Sequence, residues 1–447
     1  MNDHPLIRRE SRARTYPRHL PLVPVRAEGL RVMNNDGRWL IDCLAGAGSM
    51  VLGHNHPVVT QAIRTSLDSG APLLSLDLPG PLRDAFFDEL HYALPEGMRE
   101  DCTIHLCAPS GANAVEAALL LAEAATGGWE HVAAEGGFHG CTRGARAVST
   151  GGDLRRLGGA TGPRTWFLPY PQDYRCPFDV GGPEGTELAI AAMRRLFIDP
   201  HSPMRHPASA IVECVLGEGG SISAPSQWLQ SLRTLTREVG VPLIADEIQS
   251  GMGRTGRMWS FEHSEVVPDM VLISKGLGGG VPIAVVAMRS EWNEWEAGAF
   301  TGTFRGHSLA FAAATAVLSF MREQDLPAQA EQRGRQLLGL LRQVQAHHPC
   351  VGEVRGAGLL IGVEFVETEA SPSARGVKPP APELARRVQR ACFDNGLIVE
   401  VGGAFDNVVR LLPPLVIESA DIERIAEMLE NAIATCTQQV HAEVQAG

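Results

Sequence analysis

The 447-residue chain has little of what marks secreted, membrane or nucleic-acid-binding proteins. Its nine cysteines include no CxxC pair, so we expect reduced thiols in a cytoplasmic protein rather than a disulfide framework. No apolar stretch approaches the roughly 18 residues of a membrane helix, and no signal peptide is expected. Basic residues number 39 against 51 acidic ones, which disfavours nucleic acid and anionic membranes as partners. Small metabolites are therefore the expected ligands.

Two common kinds of site are also disfavoured by the sequence. The glycines that follow Lys275 (GLGGG, 276–280) do not have the GxGxxG spacing that opens a helix in dinucleotide-binding folds. His54 with His56, and His201 with His206, lack a third ligand at a suitable spacing. We therefore expect neither a dinucleotide site nor a metal site.

The middle of the chain predicts an α/β fold. Between about residues 85 and 320, helical runs alternate with short strands that are apolar on both faces. Such strands are typical of a mostly parallel sheet covered by helices on both sides. The predicted strands are 103–107, 131–135, 209–215, 241–247, 270–274 and 283–288.

The two ends of the chain have a different pattern. Residues 29–46 predict a hairpin around an NNDG turn, and Pro57 is placed to begin a helix that runs to about Asp68. After about residue 324 a long amphipathic helix precedes strands within 358–366, 397–403 and 408–414. We predict a large domain over 61–323, and a smaller α+β domain made of 1–60 and 324–447.

A carboxylate and a lysine follow neighbouring predicted strands. Asp246 ends one apolar run, and Lys275 ends the next. Ligands of open α/β sheets bind at the carboxyl ends of strands, so these two side chains can face one cleft. A helix cap or a surface ion pair would also explain Asp246 taken alone. A buried lysine, however, loses its charge readily and becomes a nucleophile for an aldehyde.

Pyridoxal phosphate is the aldehyde cofactor that needs such a lysine, together with a carboxylate beside its ring nitrogen. Its phosphate needs a cradle, and the triplet Ser110–Ala112 supplies one where a strand ends and a helix begins. Phe138 and His139, set among glycines, suit stacking on a planar ring, although a single Phe is more often part of a core. We expect the glycines after Lys275 to leave room for the cofactor.

Seven segments in order resemble the motif set of the class III aminotransferases, a subgroup of the fold-type I pyridoxal-phosphate enzymes. They are SGANAVEAA, FHG, ECVLGEGG, LIADEIQSGMGRTG, ISKGLGGG, GTFRGHSLA and VVRLLPPLVI, and the resemblance extends from about residue 13 to 420. It implies a large domain with a mostly parallel sheet of the seven-stranded type, and transaminase activity (EC 2.6.1.-). It also implies an obligate homodimer with shared active sites, and it leaves pairing of dimers into tetramers open.

The same resemblance implies roles for individual residues. Lys275 would hold the cofactor as a Schiff base, and Asp246 would pair with the pyridine nitrogen. Gln249 would bond the ring hydroxyl, while Ile248 and Phe138 would enclose the ring. The phosphate would be bound by Ser110, Gly111 and Ala112, helped by Thr303 from the partner subunit.

Glu218 and Arg410 resemble a gate of this family. The arginine would bind the α-carboxylate of glutamate or 2-oxoglutarate through two hydrogen bonds. The glutamate would neutralise the arginine when an ω-amino substrate occupies the site, and then swing aside. A structural ion pair is the alternative for both residues.

A narrower resemblance, to the diaminobutyrate aminotransferases, is carried by ESRARTYPRHLP (10–21), DCLAGAGSMVLGHNHP (42–57), LPYPQDYRCPF (168–178) and GTFRGHSLAF. These enzymes exchange an amino group between glutamate and the terminal carbon of aspartate 4-semialdehyde. His307 and Ser308 differ from the residues that relatives usually carry at these motif positions. Met50 lies in a stretch expected to line the substrate pocket.

Several other functions remain open from the sequence. The substrate could be another ω-amino acid, such as 4-aminobutyrate, ornithine or acetylornithine, or an aldehyde of a specialised pathway. The cofactor could instead serve an aminomutase, a racemase or a decarboxylase, or the fold could be retained in a protein that is not an enzyme.

Overall fold

The computed structural model describes residues 11, 13, 20–150 and 162–446, with the backbone alone for 439–446. Most of the motif ESRARTYPRHLP lies outside these residues. The strands are β1 (Pro24–Glu28), β2 (Arg31–Asn34), β3 (Trp39–Asp42), β4 (Cys102–Leu106), β5 (Glu130–Ala134), β6 (Arg164–Leu168), β7 (Pro207–Val212), β8 (Val215–Leu216), β9 (Ile222–Ser223), β10 (Leu243–Asp246), β11 (Met270–Ile273), β12 (Val285–Arg289), β13 (Val351–Ala357), β14 (Leu360–Phe365), β15 (Leu397–Ile398), β16 (Glu400–Gly402) and β17 (Val408–Leu411).

The helices alternate with these strands along the middle of the chain. They are α1 (Pro57–Asp68), α2 (Pro81–Ala93), α3 (Glu96–Arg99), α4 (Gly111–Thr126), α5 (Arg143–Ala147), α6 (Gly182–Ile198), α7 (Ser226–Val239), α8 (Ser308–Glu323), α9 (Leu326–His347), α10 (Pro382–Asp394) and α11 (Ser419–Ala446). In the described part of the chain, no helix has the length and apolar character needed to cross a membrane.

A seven-stranded sheet forms the centre of the molecule, in the order β4-β12-β11-β10-β7-β5-β6. Strand β12 runs antiparallel to both of its neighbours, and the other pairs are parallel. The predicted α/β class with a mostly parallel sheet is confirmed. The alternation did not predict β6, because this edge strand begins at an exposed arginine and becomes fully buried only at its last residue.

The apolar strands serve two cores at once, which explains their lack of polar alternation. On β11, Val271 and Ile273 join one buried cluster, whereas Met270 and Leu272 join a second cluster. Helix α4 belongs to that second cluster through Ala114 and other buried residues. A parallel sheet with helices on both faces buries every side chain of its central strands, so those strands read as continuous apolar runs.

Two four-stranded sheets use the ends of the chain. One has the order β1-β2-β3-β15 and joins N-terminal strands to β15, which pairs in parallel with β3. The other, β13-β14-β17-β16, is antiparallel. The predicted hairpin is present as β2 and β3, and the predicted helix after Pro57 is α1. The domain bounds at 60/61 and 323/324 stay a prediction.

Candidate active site

A cavity of about 490 Å³ opens at the carboxyl ends of the central strands. Most of the residues that the sequence singled out line it, although they come from segments far apart in the chain. These are Ser110, Gly111, Ala112, Phe138, His139, Glu218, Asp246, Ile248, Gln249 and Lys275. The parallel strands β7, β10 and β11 bring their ends to one edge of the sheet, and the first turn of α4 closes the cavity from the side.

Lys275 begins a 3-10 turn two residues after β11 ends. Its φ of +36° lies in the left-handed region, which is unusual for a residue with a side chain. The turn is held by Ser274, whose hydroxyl donates to the carbonyl of Ile283 over 2.7 Å. Lys275 lies deep in the protein and keeps some accessible surface because it borders the cavity. Burial lowers the pKa of its amine, and the charge of Glu218 partly opposes this.

Asp246 and His139 form a buried pair on the floor of the cavity. Asp246 Oδ2 lies 2.6 Å from His139 Nδ1, and Asp246 Oδ1 accepts the amide of Ile248 over 3.1 Å. Burial disfavours the charged imidazole, but the hydrogen bond and charge of Asp246, with the charge of Glu213, raise the pKa of His139 above its ordinary value. His139 Nε2 is buried and has no hydrogen-bond partner among the described residues.

Glu213 was not among the predicted site residues, yet it lines the same cavity. Its carboxylate accepts the amide of Phe138 over 2.7 Å and that of Gly217 over 2.8 Å. Burial raises the pKa of Glu213 to about 7, with Asp246 adding to the effect and His139 opposing it. Glu213 is the carboxylate within the apolar run SAIVECV and directly follows β7, a position similar to that of Asp246 at the end of β10, so the sequence contained a signal for it.

The N-terminal end of α4 has the features of an anion site. Ser110 has extended backbone angles and makes no side-chain capping hydrogen bond within the described residues, and the helix continues for 16 residues. Gly111 lies against Ile248, since a Cβ at position 111 would come 3.0 Å from Ile248 Cδ1. The positive end of the helix dipole therefore lies at the cavity wall, where it favours an anion. A side chain at position 111 would crowd Ile248 at this point.

Arg410, on β17, is fully buried beside the cavity and is held by three side chains. Its Nη2 lies 2.7 Å from Glu218 Oε2 and 3.2 Å from Glu400 Oε2. Its Nη1 donates to Gln249 Oε1 over 3.2 Å, and Gln249 Nε2 donates to Glu218 Oε1 over 3.3 Å. Burial works against ionisation of Glu218, but the charges of Arg410 and Lys275 hold its pKa below the ordinary value. The structure thus brings the predicted Glu218 and Arg410 together.

Thr303 is not brought to the cavity of its own chain. It lies in an exposed 3-10 turn, and it is absent from the cavity wall. The neighbouring Gly302 approaches Ala108, because a Cβ at position 302 would lie 3.4 Å from Ala108 Cβ. His307 caps α8 and pairs with Leu74 in an isolated bridge, also away from the cavity wall.

The glycines after Lys275 do not leave room for a ligand, so that expectation was wrong. A Cβ at Gly279 would come 2.8 Å from Val317 Cγ2, and a Cβ at Gly280 would come 2.8 Å from Met50 Cε. The loop is therefore packed tightly against α8 and against Met50. Met50 itself contacts this loop and does not line the cavity.

Comparison with known proteins agrees with this geometry. The family model "Aminotransferase class-III" matches residues 13–433. A diaminobutyrate--2-oxoglutarate aminotransferase from Rhizobium meliloti is 44% identical over 95% of this chain and 90% of its own length. The enzyme of the same name from Haemophilus influenzae is 41% identical over 97% of this chain and 95% of its own length.

Solved structures give the same result. An amine transaminase from an uncultivated Pseudomonas species, in its pyridoxal-phosphate-bound form, superposes with a TM-score of 0.84 at 27% identity, covering 95% of this chain and 97% of the other. The ornithine aminotransferase from Toxoplasma gondii superposes with a TM-score of 0.81 at 25% identity, covering 97% and 94%. Because the family model and the relatives span almost the whole chain, this protein belongs to the class-III aminotransferases.

Proposed function

We propose that the protein transfers an amino group from L-glutamate to the aldehyde carbon of L-aspartate 4-semialdehyde, using pyridoxal phosphate and giving 2-oxoglutarate and L-2,4-diaminobutyrate. The observation that carries this proposal is a single cavity at which Lys275 is accompanied by two polar pairs. One is the Asp246–His139 pair, and the other is the Glu218–Arg410 pair.

The residues of the cavity fit pyridoxal phosphate. The end of α4 at Ser110 offers a helix dipole to a phosphate. Ile248 and Phe138 both line the cavity and can lie against a flat ring. Asp246 is a buried carboxylate that can pair with a ring nitrogen. The cavity therefore has a suitable group for each part of the cofactor.

Lys275 is the residue that moves protons. Bound in the cavity, the cofactor would supply an aldehyde for amines and a cationic ring that withdraws electrons from the reacting carbon. Since burial lowers the pKa of Lys275, its amine is more readily neutral than that of an exposed lysine and can accept a proton from the substrate α-carbon. The negative charge of Glu218 opposes this effect of burial, so the protonated amine of Lys275 does not become too unfavourable.

Asp246 and His139 keep the far end of the site charged. A carboxylate with a short hydrogen bond to an imidazole stays oriented, since His139 is itself tied through its amide to Ser149 Oγ over 2.8 Å. The pair can stabilise a proton on a ring nitrogen without rearranging during the reaction, which is the condition for electrostatic catalysis.

Arg410 would bind the α-carboxylate of glutamate after Glu218 has moved away. A guanidinium is suited to a carboxylate because it offers two parallel N–H groups. When the ω-amino substrate is bound instead, Glu218 would return and neutralise the cation. This alternation lets one cavity accept both a dicarboxylate and an amino acid whose reacting end carries no acid.

The choice of aspartate semialdehyde is supported by two relatives above 40% identity, both named for diaminobutyrate and 2-oxoglutarate. The printed names of these relatives favour this acceptor over ornithine, which is the substrate named for a neighbour of 25% identity.

A homodimer is part of this proposal, with Thr303 of the partner subunit completing the phosphate site. Its support is an exposed apolar surface beside Thr303, formed by the segments 73–78 and 303–307, which are joined by the bridge between Leu74 and His307. Large side chains exposed on it are Leu73 at 52%, Leu76 at 44%, Leu78 at 64% and Phe304 at 61%. Apolar surface of this kind is typical of subunit interfaces.

A reducing compartment is supported by nine cysteines that are all free thiols.

The test is a panel of acceptors with glutamate as donor, following the formation of 2-oxoglutarate. The panel contains aspartate 4-semialdehyde, succinate semialdehyde, glutamate 5-semialdehyde and N-acetylglutamate 5-semialdehyde. We expect the highest kcat/KM with aspartate 4-semialdehyde. A higher value for another aldehyde would replace this substrate, and no 2-oxoglutarate with any aldehyde would contradict amino transfer from glutamate.

A further inference from the structure

Arg410 has a second buried carboxylate beside it that the gate does not require. Glu400 and Arg410 are directly opposite each other in the antiparallel pair β16 and β17. Glu400 Oε2 lies 3.2 Å from Arg410 Nη2, the same nitrogen that Glu218 contacts. Backbone pairing thus places Glu400 directly beside Arg410.

Glu218 and Glu400 differ in their freedom to move. Glu218 lies in the connection between β8 and β9, lines the cavity, and exposes 24% of its side chain. Glu400 exposes 1% of its side chain, and neither of its carboxyl oxygens has a hydrogen-bond partner among the described residues. Glu218 can leave Arg410 for the cavity, whereas Glu400 stays fixed.

Two ionised carboxylates on one buried guanidinium would leave an excess negative charge. Burial of such a charge is expensive, and a single proton removes it. Burial raises the pKa of Glu400 to about 8, with the charge of Glu218 adding to the effect, while Arg410 and Lys275 oppose it. The environment therefore sets the pKa values of the two carboxyl groups apart, and Glu400, which is buried more deeply than Glu218, holds the proton.

The charged groups around Glu400 come from three parts of the described chain. They are Arg410 on β17, Glu218 before β9, and Lys275 after β11. A substrate carboxylate on Arg410 would be a fourth. Each negative charge added at Arg410 favours the protonated form of Glu400, and each one removed favours the ionised form.

We propose that Glu400 is a proton-exchanging counter-ion that adjusts the charge around Arg410 to the number of carboxylates present. It keeps its proton while Glu218 or a substrate carboxylate lies on the guanidinium. When Glu218 withdraws and nothing replaces it, Glu400 releases the proton to water and becomes the counter-ion of Arg410. Glu400 is thus a positioning residue for the gate, and this inference rests on the proposed role of Arg410 in binding dicarboxylates.

The proposal predicts that dicarboxylate binding is linked to a proton. A bound dicarboxylate adds a negative charge while the displaced Glu218 remains nearby, so Glu400 holds its proton more firmly in the complex. Above a pH of about 8, where free Glu400 ionises, binding must take up a proton. The affinity then falls by up to about tenfold per pH unit.

The experiment measures the Kd of glutarate, a dicarboxylate that cannot react, by titration calorimetry on the cofactor-loaded protein. Wild type is compared with Glu400→Gln from about pH 6 to pH 9.5, a range that brackets the expected transition. Glu353→Gln is the matched control, because Glu353 is a half-buried carboxylate bound to Arg355 in the same sheet. Buffers of different ionisation enthalpy give the number of protons taken up.

We expect the wild type and the control to lose affinity above about pH 8 and to take up close to one proton there. Glu400→Gln should lack both effects, so its affinity exceeds that of wild type by up to about tenfold at pH 9. An unchanged pH profile and unchanged proton uptake in Glu400→Gln would overturn the role of Glu400 alone. Glutarate that does not bind to wild type at all would overturn the Arg410 gate, and this inference with it.

A second variant covers the case in which Glu400→Gln does not fold. Glu218→Gln removes the like charge nearest to Glu400 while Glu400 itself is intact. The loss of glutarate affinity should then begin at a lower pH than in wild type. A loss that begins at the same pH would overturn the proposal.

Discussion

Asp246 and His139 are joined by a 2.6 Å hydrogen bond, and both residues are buried. Asp246 ends a strand of the central sheet, and His139 comes from the loop that follows another strand, more than 100 residues earlier in the chain. The imidazole fixes the direction of the carboxylate, and the carboxylate raises the pKa of the imidazole. The pair therefore combines a carboxylate of fixed direction with an imidazole whose charged form is favoured.

Replacing Asp246 by Asn should reduce both the charge of His139 and the rate of amino transfer. The raised pKa of His139 depends mainly on the hydrogen bond and charge of Asp246, so the pKa should fall, which NMR of the imidazole can measure. Loss of a buried stabilising charge should lower kcat by about 10²-fold or more. Asp42→Asn is the control, since the buried Asp42 pairs with the half-buried His54 at 2.7 Å outside the cavity. Equal loss of kcat in both variants would contradict a special role for Asp246.

Borohydride reduction should attach the cofactor to one lysine. The chain has only two lysines, Lys275 and Lys378, so each serves as a control for the other. Lys378 is half-buried, does not line the cavity, and donates to the carbonyl of Thr368. Mass spectrometry of peptides should find the added mass on Lys275 in wild type and in Lys378→Arg, and nowhere in Lys275→Ala. An adduct on Lys378 instead of Lys275 in the reduced wild type, or none on either lysine, would refute the assignment.

The folding stability should decrease as the pH rises from about 4.5 to about 7, in part because of Glu247. Burial raises the pKa of Glu247 to about 7 in the folded protein, so the native state binds a proton that the unfolded chain has lost in this window. One such group changes the free energy of unfolding by at most about 1.4 kcal/mol per pH unit. Glu247→Gln should flatten the dependence in urea denaturation at several pH values.

The same variant should also be less stable overall. Glu247 accepts hydrogen bonds from the amide of Ser260 over 2.9 Å, its hydroxyl over 2.6 Å, and the amide of Phe261 over 3.1 Å. An amide group accepts through one atom only, so at least one buried donor loses its partner, at about 1–3 kcal/mol. The exposed Glu265→Gln is the control and should change neither property. A Glu247→Gln protein with the wild-type pH dependence would disprove the titration.

Mixed dimers should reveal whether Thr303 serves the site of its own chain or that of its partner. Thr303→Asp places a negative charge where a phosphate is expected, and Lys275→Ala removes the amine, so neither variant is active alone. If Thr303 acts across the interface, a dimer with one chain of each kind contains one intact site and has about half the wild-type activity. If it acts within its own chain, both sites of the mixed dimer are damaged and the activity stays absent.

The sequence by itself determined the fold class, and it singled out most of the residues that line the cavity. Strands that are apolar on both faces require helices on both sides, so the α/β class follows from local composition. Asp246 and Lys275 follow such strands in the chain, and in a parallel sheet consecutive strand ends meet at one edge. Glu213 follows the same rule and could have been predicted in the same way.

The tertiary structure alone decided which side chains from distant parts of the sequence form charged pairs. The pairing of Glu400 with Arg410 depends on the register of β16 and β17, and the contact of His139 with Asp246 depends on the strand order of the central sheet. The glycines after Lys275 were interpreted wrongly for the same reason, because their neighbours Val317 and Met50 lie far from them in the chain. Local sequence patterns reveal the periodicity of helices and strands and the positions where strands end. Contacts between distant segments are set by strand register and side-chain packing, which no short stretch of residues encodes.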